Sequence, residues 1–483
     1  MSALDFASAT MIWTLALFGS AALCANLGQN PGATENRGTT SIMTKTQRDA
    51  DAIREMARTS TYGYEQVRFL SNNIGPRLSG SRQAAAAVTY VAQQMRELGF
   101  DVRLEPVTVR HWVRGREEAE LVRYPGQVEG TNQKILITTL GNTVATPEQG
   151  LTAPVLVIDS FEQLDELPAD QVKDKIILFN HRFDDFAAGA GQSEQVYAAA
   201  VQYRGKGPAR AAKKGAAAAL VRSVGSGRFR LAHTGLTEYE QAPPQIPAGA
   251  VPSEDADLIS ELAKKGPVEI HLVLTPSDLA PEQSYNVIAD LKGNEAPKEI
   301  VVVSGHLDSW DLGTGALDDA TGVGIAMDVA RIIKKVCAHP KRTIRFVAWM
   351  NEENGGAGGR AYEQDHAEEL DNHVAAIEID DGDGRPLGLD VAGPDERVAK
   401  ILEVLHKVGD PIGGVVRVSD SPGADLEEIN QKGVPAISPL QDARHYFDYH
   451  HTAADTFDKV RLDEMRRVIE AITPLVYALA EHD

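Results

Sequence analysis

Cysteine is nearly absent: the 483-residue chain contains only Cys24 and Cys337. Two cysteines argue against a disulfide framework as the source of stability. Neither has a second thiol nearby in the sequence, which argues against a thiolate metal site. We predict that Cys337 is an ordinary residue at the end of a helix, in keeping with the tendency of free cysteine to be buried.

Positive charge is also scarce. The chain has 48 Lys and Arg against 69 Asp and Glu, a net charge of −21, and no basic patch with interleaved aromatic residues. Nucleic-acid binding needs clustered Lys and Arg to neutralise phosphates, so no nucleic-acid partner is expected. The acidity is more simply interpreted as a surface that keeps the protein soluble.

Long apolar runs are missing after the first 25 residues, so no stable membrane span is predicted. The run at residues 11–25 is short for a span and has the length of the apolar core of a secretory signal. No Lys or Arg precedes it, and Asp5 stands where positive charge is usual. We predict a signal peptide at 1–25, a flexible leader at 26–45, and a secreted or periplasmic protein. The alternative is a cytoplasmic protein that starts at Met43.

The length implies two domains. Residues 46–114 and 276–483 are predicted to form one domain, interrupted by an inserted, mainly β module at 115–275. Short strands broken by turns characterise this module, and they are predicted at 134–137, 154–158, 175–179 and 218–221, with an Ala-rich helix at 209–214.

Strands and helices alternate in the second part of the main domain. Strands are predicted at 299–304, 343–350, 374–379 and 434–439, and helices at 320–336, 357–370, 394–408 and 462–481. This alternation predicts an α/β fold, a mostly parallel sheet flanked by helices. In such folds the functional site lies beyond the carboxyl ends of the strands.

Imidazoles and carboxylates follow these predicted strands directly. Each piece alone has an ordinary interpretation, as a polar loop residue, a solvated acidic pair or a turn. Together they supply the nitrogen and oxygen ligands that a divalent cation needs, and more of them than one zinc ion uses. The pieces are His306 with Asp308, Asp318 with Asp319, Glu352 with Glu353, Asp380, and His450 with His451.

Two metal ions that share a carboxylate would use the whole set. We expect Asp318 to be the bridge, because it lies in a loop near Gly315 that could approach both ions. His306 and Asp380 would complete one ion, and Glu353 with one of the two neighbouring histidines the other. Glu352, next to a ligand, would be the general base.

Further side chains are candidates for supporting roles. Asp308 could orient His306 by accepting its second N–H, and Asp319 could act in the same way or cap the following helix. Tyr446 or Tyr449 could donate a hydrogen bond to a developing oxyanion. Asp425 could line the pocket, although a helix cap is favoured.

The ordered set His306-x-Asp308, Asp318-Asp319, Glu352-Glu353, Asp380 and His451-x-x-x-Asp455-Thr456 resembles metallopeptidase family 28, the co-catalytic zinc peptidases. The Trp310-Asp311 extension is similar to that of the carboxypeptidase Q-like subgroup. The resemblance implies a zinc exopeptidase fold, two Zn²⁺ per chain, Glu352 as base, Glu353 as ligand, and His451 in preference to His450. The inserted module resembles a protease-associated domain through residues 175–179, 215–221 and 246–251.

The resemblance predicts a zinc-dependent exopeptidase that hydrolyses peptide bonds in dipeptides or short peptides with a di-metal-activated water. Aminopeptidase, carboxypeptidase and dipeptidase preferences stay open, as does a homodimer. The alternatives are a non-peptidase amidase or a one-zinc cyclase on the same fold, and an inactive, receptor-like binding protein.

Overall fold

The computed structural model describes residues 45–227, 229–239, 245–408, 415–419 and 423–482. The predicted signal peptide, and all of the predicted leader except Lys45, lie outside these residues. Lys45 already begins the first helix. Within the described ranges, none of the helices combines the length and apolar character needed to cross a membrane.

The main domain is built on an eight-stranded sheet. Its four central strands run parallel. The two strands on one side pair antiparallel, and on the other side Pro386–Ala392 pairs antiparallel with its central neighbour and parallel with Val415–Val418. The strands, in spatial order, are Asp101–Val109, Glu282–Leu291, Arg342–Trp349, Ala296–His306, His373–Glu378, Ala436–Gln441, Pro386–Ala392 and Val415–Val418. The α/β class predicted from the sequence is confirmed.

Helices cover both faces of this sheet. They are Lys45–Thr59, Tyr62–Phe69, Arg82–Glu97, Thr321–Val336, Ala357–Asp365, Asp395–Val408, Glu427–Gln431 and Leu462–Glu481. Successive side chains of a strand point to opposite faces. Val301 and Val303 therefore join the core under helix Thr321–Val336, whereas Ile300 and Val302 pack on the other face. Cys337 caps the carboxyl end of helix Thr321–Val336, as predicted.

A second eight-stranded sheet lies within the predicted inserted module. Its strands, in spatial order, are Gln133–Ile135, Glu117–Arg123, Glu269–Leu274, Leu151–Ile158, Ile176–Phe179, Ala218–Arg222, Ala248–Val251 and Thr138–Thr139. Its longer helices are Phe161–Glu166, Ser193–Gly205, Gly207–Lys213 and Ser253–Ala263. Helix Ser193–Gly205 was not predicted from the sequence, and it reaches the candidate site.

The parallel strands bring the predicted site residues to one edge. His306 is the last residue of its strand, Glu352 and Glu353 follow Trp349, and Asp380 follows Glu378. Residues 446–455 follow strand Ala436–Gln441. The topology therefore collects side chains that are up to 145 positions apart in the sequence (306 to 451) at the carboxyl ends of the central strands.

Candidate metal centre

Asp318 lies between two imidazoles. Its Oδ1 is 3.1 Å from Nε2 of His306, and its Oδ2 is 3.2 Å from Nε2 of His451. The side chain is buried, and burial alone would raise the pKa of Asp318. The two histidines nevertheless hold that pKa well below its ordinary value, so the group stays a carboxylate with its two oxygens facing different partners.

Two groups of ligand atoms form around Asp318. On one side, His306 Nε2 is also 3.2 Å from Asp380 Oδ1. On the other side, His451 Nε2 is 3.0 Å from Glu353 Oε2. The structure thus brings together His306, Asp318, Glu353, Asp380 and His451, the five residues predicted as ligands.

The donor atoms fit divalent cations. Oδ2 of Asp318 and Oδ1 of Asp380 are buried, and the close polar neighbours that the described contacts give them are the imidazole nitrogens of the candidate histidines. Burial disfavours a charged His306, yet Asp380 and Asp318 raise its pKa well above the usual range. Closely spaced carboxylates and imidazoles of this kind suit a borderline ion such as zinc, which binds both nitrogen and oxygen.

The structure favours His451 over His450. His450 Nε2 is 3.6 Å from Asp318 Oδ2, and its ring stacks on that of His451 with centroids 3.6 Å apart. Only His451 also contacts Glu353 among the ion pairs of the described residues. The other nitrogen of His451, Nδ1, lies 3.1 Å from the carbonyl oxygen of Thr234, which orients the ring.

Glu352 lines a cavity of about 390 Å³ together with Asp318, Glu353 and Asp380. Removal from bulk water raises the pKa of Glu352 well above its usual value; His306 opposes this rise, and Asp380 and Glu353 add to it. A carboxyl group with a raised pKa is a stronger base than an ordinary carboxylate, which suits the predicted role of proton acceptor.

The contacts of Asp308 differ from the prediction. The hydrogen bond to His306 Nδ1, at 3.0 Å, is made by the backbone carbonyl of Asp308, while its carboxylate stays 3.9 Å away. That carboxylate accepts hydrogen bonds from the backbone N–H groups of Asn351 and Glu352, at 2.7 and 3.1 Å, and from the Ser79 hydroxyl at 2.8 Å. Asp308 therefore fixes the loop that carries Glu352.

We expect Asp308→Ala to lower the free energy of unfolding by about 2–6 kcal/mol, because it leaves two backbone N–H groups without an acceptor at about 1–3 kcal/mol each. Asp308→Asn keeps one acceptor oxygen and should cost less. Urea unfolding of both variants measures the difference. Equal stabilities for the two variants would contradict this account of the loop.

The structure supports some of the other predicted supporting roles and contradicts others. Asp319 accepts from the backbone N–H of Gly322 at 2.8 Å, in the first turn of the following helix, which agrees with the predicted capping role. Its other bond, at 3.0 Å, is to the backbone N–H of His306 and not to the imidazole, so the predicted orienting role is wrong. Tyr446 lines the cavity, whereas Tyr449 packs against the core beneath Lys459. Asp425 is buried with both oxygens unpartnered among the described residues, and Leu426 holds the cap position of the next helix, so the predicted cap is wrong.

The predicted inserted module supplies parts of the cavity that the sequence did not predict. Thr234 contributes a backbone carbonyl, and helix Ser193–Gly205 contributes Tyr197 and Arg204 to the cavity wall. A backbone carbonyl cannot be recognised from the type of residue that carries it. Helix Ser193–Gly205 has little hydrophobic periodicity, so the sequence pattern did not predict it.

The module also contacts the segment that follows His306. Arg114 forms an ion pair with Asp311, next to Trp310. The backbone N–H of Trp310 donates to Oε1 of Glu353 at 3.2 Å. The Trp310-Asp311 extension noted in the sequence therefore links the module to a predicted metal ligand.

Comparisons with known proteins identify the family and the fold. Residues 286–476 match the sequence profile of Peptidase family M28. Human Carboxypeptidase Q is 34% identical over 439 residues, which cover 89% of each chain. The crystal structure of a Peptidase M28 precursor from Shewanella amazonensis SB2B superimposes with a TM-score of 0.84 at 36% identity, covering 91% of this chain and 97% of that one. A zinc aminopeptidase from Bacillus subtilis shares the fold, with a TM-score of 0.62 at 20% identity over 87% of this chain and 95% of its own.

Proposed function

The chain belongs to peptidase family M28, and from that premise we propose that it is a zinc-dependent exopeptidase acting on dipeptides or short peptides. The position of Asp318 between His306 and His451 carries the proposal. Its two oxygens face different imidazoles, each of which contacts one further carboxylate. Two zinc ions per chain would use this set, with His306, Asp318 and Asp380 holding one and Asp318, Glu353 and His451 the other.

The zinc ions, when bound, would polarise the scissile carbonyl and lower the pKa of a water molecule, so that this water can lose a proton and attack at neutral pH. Glu352 accepts the proton of that water and delivers it to the departing amine. Tyr446, which lines the same cavity, donates its hydroxyl hydrogen to the oxygen that becomes negative. Tyr449 packs away from the cavity and is not assigned this role.

We further propose that the second sheet is a protease-associated domain that forms one wall of the active site. Tyr197, Arg204 and Leu236 of this module lie in the cavity wall and would limit the length of the peptides admitted. Export through the segment at 1–25 is part of the proposal and rests on the sequence of that segment alone.

A panel of dipeptides and amino-acid anilides tests the function. We expect hydrolysis that a chelator abolishes and added zinc restores, with about two zinc ions per purified chain. A count near one together with release of cyclised products would favour a cyclase on the same fold. A count near zero without hydrolysis would favour a binding protein.

A further inference from the structure

Arg77 is completely buried beside the loop that joins two predicted ligands, His306 and Asp318. We call residues 307–317 the ligand loop. Arg77 is 0% exposed, whereas the four other buried arginines of the described residues are 5–8% exposed. It lies shortly before helix Arg82–Glu97, 230 positions ahead of the first residue of the ligand loop. A guanidinium loses its hydration in such a place, so its contacts must offset a large cost.

The N–H groups of Arg77 reach backbone carbonyls near both ends of the ligand loop. Nε donates to the carbonyl oxygen of Leu307 at 2.8 Å. Nη1 donates to that of Thr314 and Nη2 to that of Gly315, each at 2.8 Å. Nη1 also donates to the carbonyl oxygen of Gly75 at 3.2 Å. One rigid, planar group therefore holds the start and the end of the loop together.

Further contacts fix Arg77 and the ligand loop against each other. The backbone N–H of Arg77 donates to Oγ of Ser309 at 3.0 Å, and the Ser79 hydroxyl donates to the Asp308 carboxylate at 2.8 Å. A side chain at Gly315 would place its Cβ 2.3 Å from Cβ of Ser309 and 2.8 Å from Nη2 of Arg77. The backbone of the loop can approach the guanidinium this closely because residue 315 is glycine.

Both ends of the ligand loop lead to a predicted ligand. At its start, the backbone carbonyl of the residue after Leu307 lies 3.0 Å from Nδ1 of His306 and orients the ring. At its end, Asp318 comes three residues after Gly315. The conformation of the loop therefore decides where both side chains lie relative to each other.

An effect of charge alone is the alternative role for Arg77. The carboxylates that act on it electrostatically are Asp308, Asp318, Asp319 and Asp455. Among the described residues, however, Arg77 forms no ion pair with a carboxylate, and its side chain donates to carbonyl oxygens. Any cation would supply the charge, whereas only a guanidinium offers three nitrogens in a fixed plane.

We propose that Arg77 is a positioning residue of the metal centre, which holds the ligand loop in its metal-binding conformation before zinc arrives. This inference rests on the proposed function. His306 and Asp318 both belong to one predicted ion, whereas only Asp318 is common to the other, which His451 and Glu353 complete. The ion on the His306 side therefore depends on Arg77 more than the ion on the His451 side does.

The test measures the zinc affinity of wild-type enzyme and Arg77→Lys by competition with a chelator of known affinity. Lysine keeps the charge but offers one nitrogen in place of three. We expect the affinity on the His306 side to fall about 10- to 100-fold, as for other groups that orient metal ligands, and that on the His451 side to fall less. Combining Arg77→Lys with Glu353→Ala or with Asp380→Ala leaves one predicted ion each and assigns the two values.

Controls separate this role from a contribution to stability alone. Arg82→Lys, at an exposed arginine of the next helix, should bind zinc as the wild type does. All variants are compared at a temperature at which circular dichroism shows them folded. With zinc in excess, Arg77→Lys should regain the wild-type kcat and KM, because Arg77 is buried beyond the reach of a substrate. Unchanged zinc affinity in folded Arg77→Lys overturns the inference, even where urea shows lower stability.

Should Arg77→Lys fail to fold, hydrogen exchange of the wild type decides. The backbone N–H groups of Ala316 and Leu317 donate to Asp455 in the structure. If the ligand loop is held before zinc binds, both are as protected in zinc-free enzyme as in zinc-loaded enzyme. Protection that appears only with zinc overturns the inference. A wild-type enzyme that binds no zinc gives a different result, since it overturns the proposed function and this inference with it.

Discussion

Glu352→Gln will retain its zinc and lose turnover. Glutamine has nearly the shape of glutamate but cannot accept a proton, so kcat should fall by about 10²–10⁴-fold, the range for removal of a general base. Glu352 lines the cavity, and none of its carboxylate oxygens forms an ion pair with the histidines among the described contacts. KM should change little, because the base acts on the proton and not on the bound peptide.

The measurement pairs steady-state kinetics on a dipeptide with zinc content per chain. Glu368→Gln, an exposed position on the same segment of the chain, is the matched control and should behave as wild type. Full activity in Glu352→Gln would remove Glu352 from the mechanism. Loss of zinc together with activity would make it a ligand instead.

Much of the main domain could be predicted from the sequence, because its strands and helices are defined by short runs of neighbouring residues. The run of β-branched residues at 300–303 predicts a buried strand at 299–304, and the structure extends that strand from Ala296 to His306. Helix Thr321–Val336 differs by one residue from its predicted start. Since the carboxyl ends of parallel strands meet at one edge, the chain order of strands and helices was enough to place His306 and Asp380 together.

The remaining parts of the site depend on contacts that chain order does not encode. The Asp308 carboxylate lies close enough to His306 in sequence to be its partner, but the turn after the strand directs the backbone carbonyl there instead. Arg204 lies in a helix without clear amphipathic periodicity, about 100 residues before the first predicted ligand. Its position 3.2 Å from His451 Nδ1 follows from how the module packs and not from the order of the chain.

Asp318→Ala should weaken both metal ions together. Each side of the centre has a histidine and one further carboxylate of its own, and Asp318 is the side chain that contacts both histidines. Loss of a hydrogen-bonding partner behind a ligand typically lowers metal affinity about 10- to 100-fold. Loss of a ligand common to two ions should therefore lower the affinity for each by more than about 100-fold, and activity with it.

Two further variants, each of which removes a carboxylate from only one of the two predicted metal sites, serve as comparisons for Asp318→Ala. Asp380→Ala removes a carboxylate from the His306 side only, and Glu353→Ala from the His451 side only. After dialysis against a weak chelator, each of these should keep about one zinc ion per chain, whereas Asp318→Ala should keep almost none. Asp365→Ala, at the exposed end of helix Ala357–Asp365, controls for loss of negative charge and should keep the wild-type count. If Asp318→Ala still held one ion as firmly as Glu353→Ala does, Asp318 would belong to a single metal and the shared carboxylate would have to be sought elsewhere in the cluster.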